Sequence, residues 1–278
     1  MVTLTPKPTA HKTVKLSSGM EVFCLDRNEA TWLYEEVKGY VSNGIELHPG
    51  AVVLDVGANV GMFAMFVNQL LNNEVTVYSF EPIPTLFNIL QSNIDRYNPK
   101  GLKAFCYGLA EHSATVEFEF YPNASALSNA FSGESVGRDL ARDILVRHPE
   151  HAPFPGRGLR WFPTGVRAWV FDNFSDVFFK AERVTCQLRP LSEVIAEQQI
   201  DRIDLLKVDV EKSELTVLLG LQPQDWQKVQ QAVIEVYDVD QRVDTIVNLL
   251  KTHGFTSITV KQEALFEGSQ NFNVFARR

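Results

Sequence analysis

From Ala51 onward the sequence alternates short apolar runs with stretches of helical spacing, and this alternation constrains the fold more than any other feature. The first runs are AVVLDVG from Ala51, VTVYSF from Val75 and LKAFCYG from Leu102, separated by helical patterns over about Met62 to Leu71 and Leu86 to Ile94. The same rhythm returns at IDLLKVDV from Ile203 and passes through a helix from Ser213 to Leu219. It continues with QAVIEVYD from Gln231, a helix from Val243 to Lys251, FTSITVK from Phe255 and NFNVFARR from Asn271. Strands joined through helices lie parallel, because the crossover carries the chain back to the edge it started from. Their unbroken apolar character requires cover on both faces, so the sequence predicts an α/β fold with helices on each side of a mostly parallel sheet.

Such a sheet needs a core that offsets the entropy of ordering the chain. With 278 residues, 45% of them hydrophobic and 22% charged, the sequence supplies one core without staples. The formal charge of −8 and a pI near 5.3 disfavour nucleic acid or an anionic membrane as partner and favour a small molecule. Cys24, Cys106 and Cys186 lie far apart with no pairing pattern. No apolar run resembles a signal or approaches the roughly 20 residues that span a bilayer. A cytoplasmic protein without membrane or nucleic-acid partners is expected, and the start at Met1 suggests a discrete chain.

Ahead of the alternating region, residues 13–25 suggest a hairpin and Glu29 to Val41 a helix, forming an N-terminal annex. Between its two halves, from Tyr121 to Glu182, the periodicity weakens. That segment holds Pro122, Pro149, Pro153, Pro155 and Pro163 with Trp161 and Trp169. An amphipathic helix is expected from Arg138 to Arg147, and an apolar patch from Phe171 to Phe179. A loop this long in a compact domain is an ordered lid or a structural elaboration.

The residues with chemical promise sit where strands end. VVLDVGANVGMF carries Asp55 at a strand end, turns through Gly57, Ala58 and Asn59, and enters a helix at Gly61. Glycine here admits a ligand to the backbone at a helix start. Asn59 breaks the dinucleotide pattern G-x-G-x-x-G, and the Asp55 carboxylate would repel a pyrophosphate, so a nucleoside with a cationic tail fits better. A tight turn with a capping Asp is the plainer alternative. Glu81, followed by Pro82, ends the second strand and is placed to accept from two ribose hydroxyls, or is a solvated cap. Gly108 and Leu109 end the third, placed to meet an adenine or simply to turn. Asp209, with Glu211, ends the fourth as a ligand contact or a helix cap, and Glu235 with Tyr237 ends the fifth. His148 and His151 have a metal-like interval without further ligands, and His253 reads as a cationic helix cap; no metal is expected.

The blocks LDVGANVGMF, SFEPIP, YGLAEHSATVEFEFYPNASALS, LLKVDVEKSELTVLLGL and AVIEVYDVDQRVDTIVNLLKTHGF together resemble the FkbM-type S-adenosylmethionine-dependent methyltransferases. Within that family the likeness is to O-methyltransferases that tailor polyketide and mixed peptide-polyketide products, and it runs from about Val22 to Arg278. It implies a class I methyltransferase fold, Rossmann-like, with a seven-stranded sheet whose last strand is antiparallel. One domain would fill residues 1–278: annex 1–48, cofactor-binding half 49–120, inserted lid 121–182, and second half of the sheet 183–278. S-adenosyl-L-methionine would bind at Asp55, Gly57, Ala58, Asn59, Gly61, Glu81 and Pro82, with Gly108, Leu109 and Asp209 beside it. Related sequences commonly carry His where this one has Tyr237.

The expected activity is methyl transfer to a hydroxyl of a natural-product intermediate, free or carrier-bound, with a sugar hydroxyl as the alternative acceptor. A non-catalytic cofactor-binding scaffold is the alternative of another class, and a nicotinamide oxidoreductase is disfavoured by Asn59. Asp209, Glu235 and Tyr237 are the catalytic candidates. Glu235 and Tyr237 share a face of their strand, with Glu235 the better proton acceptor and Tyr237 orienting; alignment of the reactants alone is the competing account.

Overall fold

The computed structural model of the protein describes residues 11–122, 142, 145–147, 149, 156–178, 182–262 and 270–278. Among the described residues, twelve strands run in chain order. β1 (Lys12–Lys15) and β2 (Glu21–Cys24) form an antiparallel hairpin. β3 (Ala51–Val56), β4 (Val75–Phe80) and β5 (Leu102–Phe105) begin the main sheet. β6 (Gly108–Leu109), β7 (Ala114–Phe120) and β8 (Glu182–Arg189) form a separate small sheet. β9 (Leu205–Val208), β10 (Gln231–Tyr237), β11 (Ser257–Lys261) and β12 (Asn271–Arg277) complete the main one.

The main sheet has seven strands in the order β11-β12-β10-β9-β3-β4-β5. The five from β10 to β5 are mutually parallel, and β12 runs antiparallel between β10 and β11. Each of these strands falls on one of the seven apolar runs. Alternation across the pleat explains the two cores. Val53, Val77 and Val233 pack on one face beneath helices Met62–Leu70 and Pro84–Tyr97 and the N-terminal hairpin. Leu54, Val56, Phe80, Leu206 and Ile234 pack on the other beneath helices Leu191–Glu197, Glu214–Leu219 and Arg242–Thr252.

The N-terminal segment continues from β2 into helix Arg27–Glu36, whose first turn is capped by Asp26 accepting from Asn28 N–H and Glu29 N–H at 2.9 and 3.2 Å. The helix tightens into a 3₁₀ turn, Val37–Tyr40, which delivers Tyr40 into the interior at 1% exposure.

The small sheet corrects the reading of the third strand. β5 stops at Phe105, and Gly108 and Leu109 pair in parallel with Leu188 and Arg189 of β8. β7 pairs with β8 from Ala114↔Leu188 to Phe120↔Glu182, so the segment between them emerges from an antiparallel stem. Within that segment, Arg142 and residues 145–147 are helical and Thr164–Phe178 forms a helix. The rest of the Arg138 to Arg147 stretch, and His148 and His151, lie outside the described residues. His253 does cap a helix, but not as a cation. Its ring stacks on Trp226 at 4.4 Å, and burial together with Arg278 lowers its pKa. Among the described residues no helix is long and apolar enough to cross a membrane.

Candidate active site

The chain leaves β3 toward β4 on one side, while β9 lies on the other, so the connection order reverses between β3 and β9. In open α/β sheets the carboxyl ends of strands at such a reversal border a crevice. Here that edge carries the glycine turn of β3, Glu81 after β4, Asp209 after β9, and Glu235 with Tyr237 on β10.

The turn is tied to its neighbours through its backbone. Gly57 N–H and Ala58 N–H both donate to Phe80 C=O, at 3.1 and 3.0 Å. Gly57 has φ +79°, and a Cβ there would stand 1.7 Å from the Asp209 carbonyl oxygen, so only glycine lets β3 turn this close to the end of β9. Asn59 takes φ 50°, a region Asn tolerates, and its Oδ1 accepts from Val60 N–H at 2.7 Å. Gly61, at φ +89°, opens helix Met62–Leu70.

Glu81 is buried and its two oxygens are shared between elements. Oε2 accepts from Asn59 N–H at 2.9 Å and Oε1 from Ile83 N–H at 2.8 Å, which bolts the glycine turn to the end of β4. Burial pushes its pKa up to about 7, against the pull of those two amides. Pro82 follows it and packs toward Gly108, which also abuts Leu188. Leu109 is 4% exposed within the core, grouped with Leu54, Val56 and Phe80.

Asp55 is fully buried, and its Oδ1 lies 3.1 Å from Lys207 Nζ. Lys207 is equally deep. Its ammonium donates to Gly57 C=O at 2.8 Å and stands 3.4 Å from Asp209 Oδ2. Burial opposes the charges on both partners. The pKa of Asp55 is raised by it despite Lys207, whereas Asp55 and Asp209 outweigh it at Lys207 and hold the ammonium protonated.

Asp209 and Glu235 meet at a third group. The Tyr40 hydroxyl lies 2.6 Å from Glu235 Oε2 and 3.1 Å from Asp209 Oδ2, while Asn271 Nδ2 donates to Glu235 Oε1 at 2.5 Å. Beside them the backbone takes left-handed φ values of 48° at Glu211 and 73° at Lys212, and Arg242 holds that turn by donating to Lys212 C=O at 2.6 Å. Burial and the charges of Asp209, Glu235 and Glu214 push Glu211 well above the usual carboxylate range. Lys212 Nζ stands 5.4 Å from the centroid of the Tyr237 ring.

Strand ends therefore bring Asp55 and Asp209 together on Lys207, and Asp209 and Glu235 together on the Tyr40 hydroxyl, with Glu211 close to Asp209 and Glu235, an acid-rich edge suited to a cationic ligand. Sequence reasoning missed Lys207, Tyr40 and Asn271. A lysine inside the otherwise apolar start of LLKVDV, two residues before Asp209, was a signal for Lys207. Tyr40 looked like any apolar helix position.

The model of the Methyltransferase FkbM domain matches residues 55–257, from the buried Asp55 to the first residue of β11. The chain belongs to the FkbM methyltransferase family. It is 36% identical over 271 residues to 31-O-demethyl-FK506 methyltransferase FkbM of Streptomyces tacrolimicus, covering 96% of this chain and 97% of that protein. It is 35% identical over 278 residues to AMB antimetabolite synthetase AmbE of Pseudomonas aeruginosa, covering 95% of this chain but only 12% of that much longer protein. Among solved structures, methyltransferase FkbM from Methylobacillus flagellatus KT superposes with a TM-score of 0.50 at 14% identity, covering 90% of this chain and 48% of the other. This FkbM-family chain is thus a methyltransferase with a class I fold, and the acid-rich edge lies where that fold opens its crevice.

Proposed function

We propose that this chain transfers a methyl group from S-adenosyl-L-methionine to a hydroxyl oxygen of a polyketide or peptide-polyketide intermediate, free or tethered to a carrier protein. The observation that carries this reading is 36% identity along 97% of a methyltransferase whose name gives an O-demethyl compound as its substrate. The site's charge supports the cofactor: Asp55, Asp209 and Glu235 stand at the ends of β3, β9 and β10, linked through Lys207 and the Tyr40 hydroxyl, an acidic setting that favours a cationic ligand.

Glu81 would hold the ribose, since each of its oxygens keeps acceptor capacity beyond its backbone amide. The turn from Gly57 to Gly61, with Pro82 and Gly108, would line the nucleoside. Asp209 would face the cationic part, with Asp55 acting from behind it through Lys207. S-adenosylmethionine supplies a methyl group that already carries its leaving group, so alignment and proton removal are the protein's tasks. Orientation alone is worth on the order of 7 to 11 kcal/mol. Glu235 takes the proton of the acceptor hydroxyl, Tyr237 orients that hydroxyl, and residues 121–182 close over it to exclude water.

The test offers free and carrier-bound hydroxyacyl substrates with S-adenosylmethionine and reads products by intact mass and fragmentation. A single added methyl on oxygen is expected. Methylation confined to nitrogen or carbon, or none on any acceptor, would overturn the reading.

A further inference from the structure

Tyr40 belongs to the N-terminal segment and precedes the region matched by the family model, yet its hydroxyl reaches two strand ends of the methyl-transfer site. We infer that Tyr40 is a positioning residue of the reaction: its hydroxyl donates to Glu235 and holds that carboxylate ionised and aimed. The inference rests on the reading of Glu235 as proton acceptor.

The ring cannot wander. It is 1% exposed, packs edge-on against Phe63 at 5.9 Å between centroids, and has Lys207 Nζ 5.7 Å from its centroid. One hydroxyl proton is available for two carboxylates, and the shorter contact, 2.6 Å, is to Glu235. With Asn271 donating to the other oxygen, the Glu235 carboxylate is gripped from β12 and from the N-terminal segment at once. Hydrogen bonds to the charged form favour ionisation. They oppose the neighbours that disfavour it, Asp209 and Glu211, while Lys207 sits behind Asp209 and Lys212 over Tyr237. Burial, followed by the charges of Asp209, Glu235 and Glu36, keeps the Tyr40 hydroxyl protonated and therefore a donor. Removing only that oxygen leaves Asp209 and Glu235 as neighbours without the hydroxyl that both contact, and Glu235 then retains a proton to higher pH.

The experiment compares wild type with Tyr40→Phe, which keeps the ring and its packing. In the cofactor-free full chain, side-chain glutamate carboxyls are titrated by ¹³C NMR, the Glu235 signal being assigned by its loss in Glu235→Gln. The expected result is a rise of about one pH unit or more in the Glu235 midpoint in Tyr40→Phe. An unchanged midpoint overturns the inference. In the methylation assay, kcat near neutral pH should fall about tenfold or more and recover as pH rises, with S-adenosylmethionine affinity unchanged. A pH-independent loss would mark Tyr40 as packing alone and overturn it as well. Full kcat in Glu235→Gln would instead remove the proton-acceptor reading, while the NMR midpoint still decides whether Tyr40 controls the Glu235 charge.

Discussion

Asp55 and Lys207 carry opposite charges into the interior, at 0% and 2% exposure, and each is there because of the other. Truncating one member of such a pair strands the other, at a cost of about 3 to 5 kcal/mol. Asp55→Ala should therefore lower the urea midpoint sharply, and Asp55→Ala combined with Lys207→Met should regain most of the loss; equal midpoints in wild type and Asp55→Ala would show that the pair does not matter to folding. The carboxylate at the strand end was legible in LDVG. Its partner was not, because the pairing of Asp55 with Lys207 is made by strand register across 152 positions of chain rather than by any local spacing. Glu81 carries a second prediction. Its native pKa of about 7 lies above the ordinary 4.5, so the folded protein binds a proton that the unfolded chain releases. That contribution to stability is complete below pH 4.5 and is lost as pH rises through 7. Unfolding free energies measured from pH 4.5 to 8 should fall more steeply in wild type than in Glu81→Gln, and parallel curves would contradict the burial argument.

Buried strands and the N-terminal hairpin were legible in the sequence, and the strands of the small sheet were not. The inner strands β3, β4 and β9 are apolar runs because they are buried on both faces, whereas the edge strand β11 is largely exposed. β7 and β8 escaped notice because they are short of core: Glu117, Glu119 and Arg183 point charges outward, and what pairs them is the backbone ladder. The end of β5 was misplaced for a related reason, since a glycine after a strand reads equally as a turn or as a step into another sheet. The β7/β8 stem gives the segment between them a firm base on the main domain. Trp161 and Trp169 are exposed on that segment, at 79% and 59%. Replacing residues 135–170 with a short Gly/Ser linker should spare S-adenosylmethionine affinity and abolish turnover. Parental turnover in that variant would make the segment ornamental.

Across the whole molecule, the parallel strands converge their carboxyl ends on one edge, and the N-terminal segment folds back to close it through Tyr40. The strand order alone puts Asp55, Glu81, Asp209 and Glu235 at one edge, which is why their convergence could be expected from sequence although they are scattered over 181 positions. In the proposed function these strand ends hold S-adenosylmethionine, with Glu81 as a direct contact. The most direct measurement is calorimetric titration of S-adenosylmethionine into wild type and Glu81→Ala, each first shown to melt cooperatively. Loss of a charged hydrogen bond costs roughly 1.5 to 3 kcal/mol, so one-to-one binding to wild type and an affinity about 10- to 100-fold weaker in the variant are predicted. Equal affinity in the two proteins, or no binding to wild type, would contradict it.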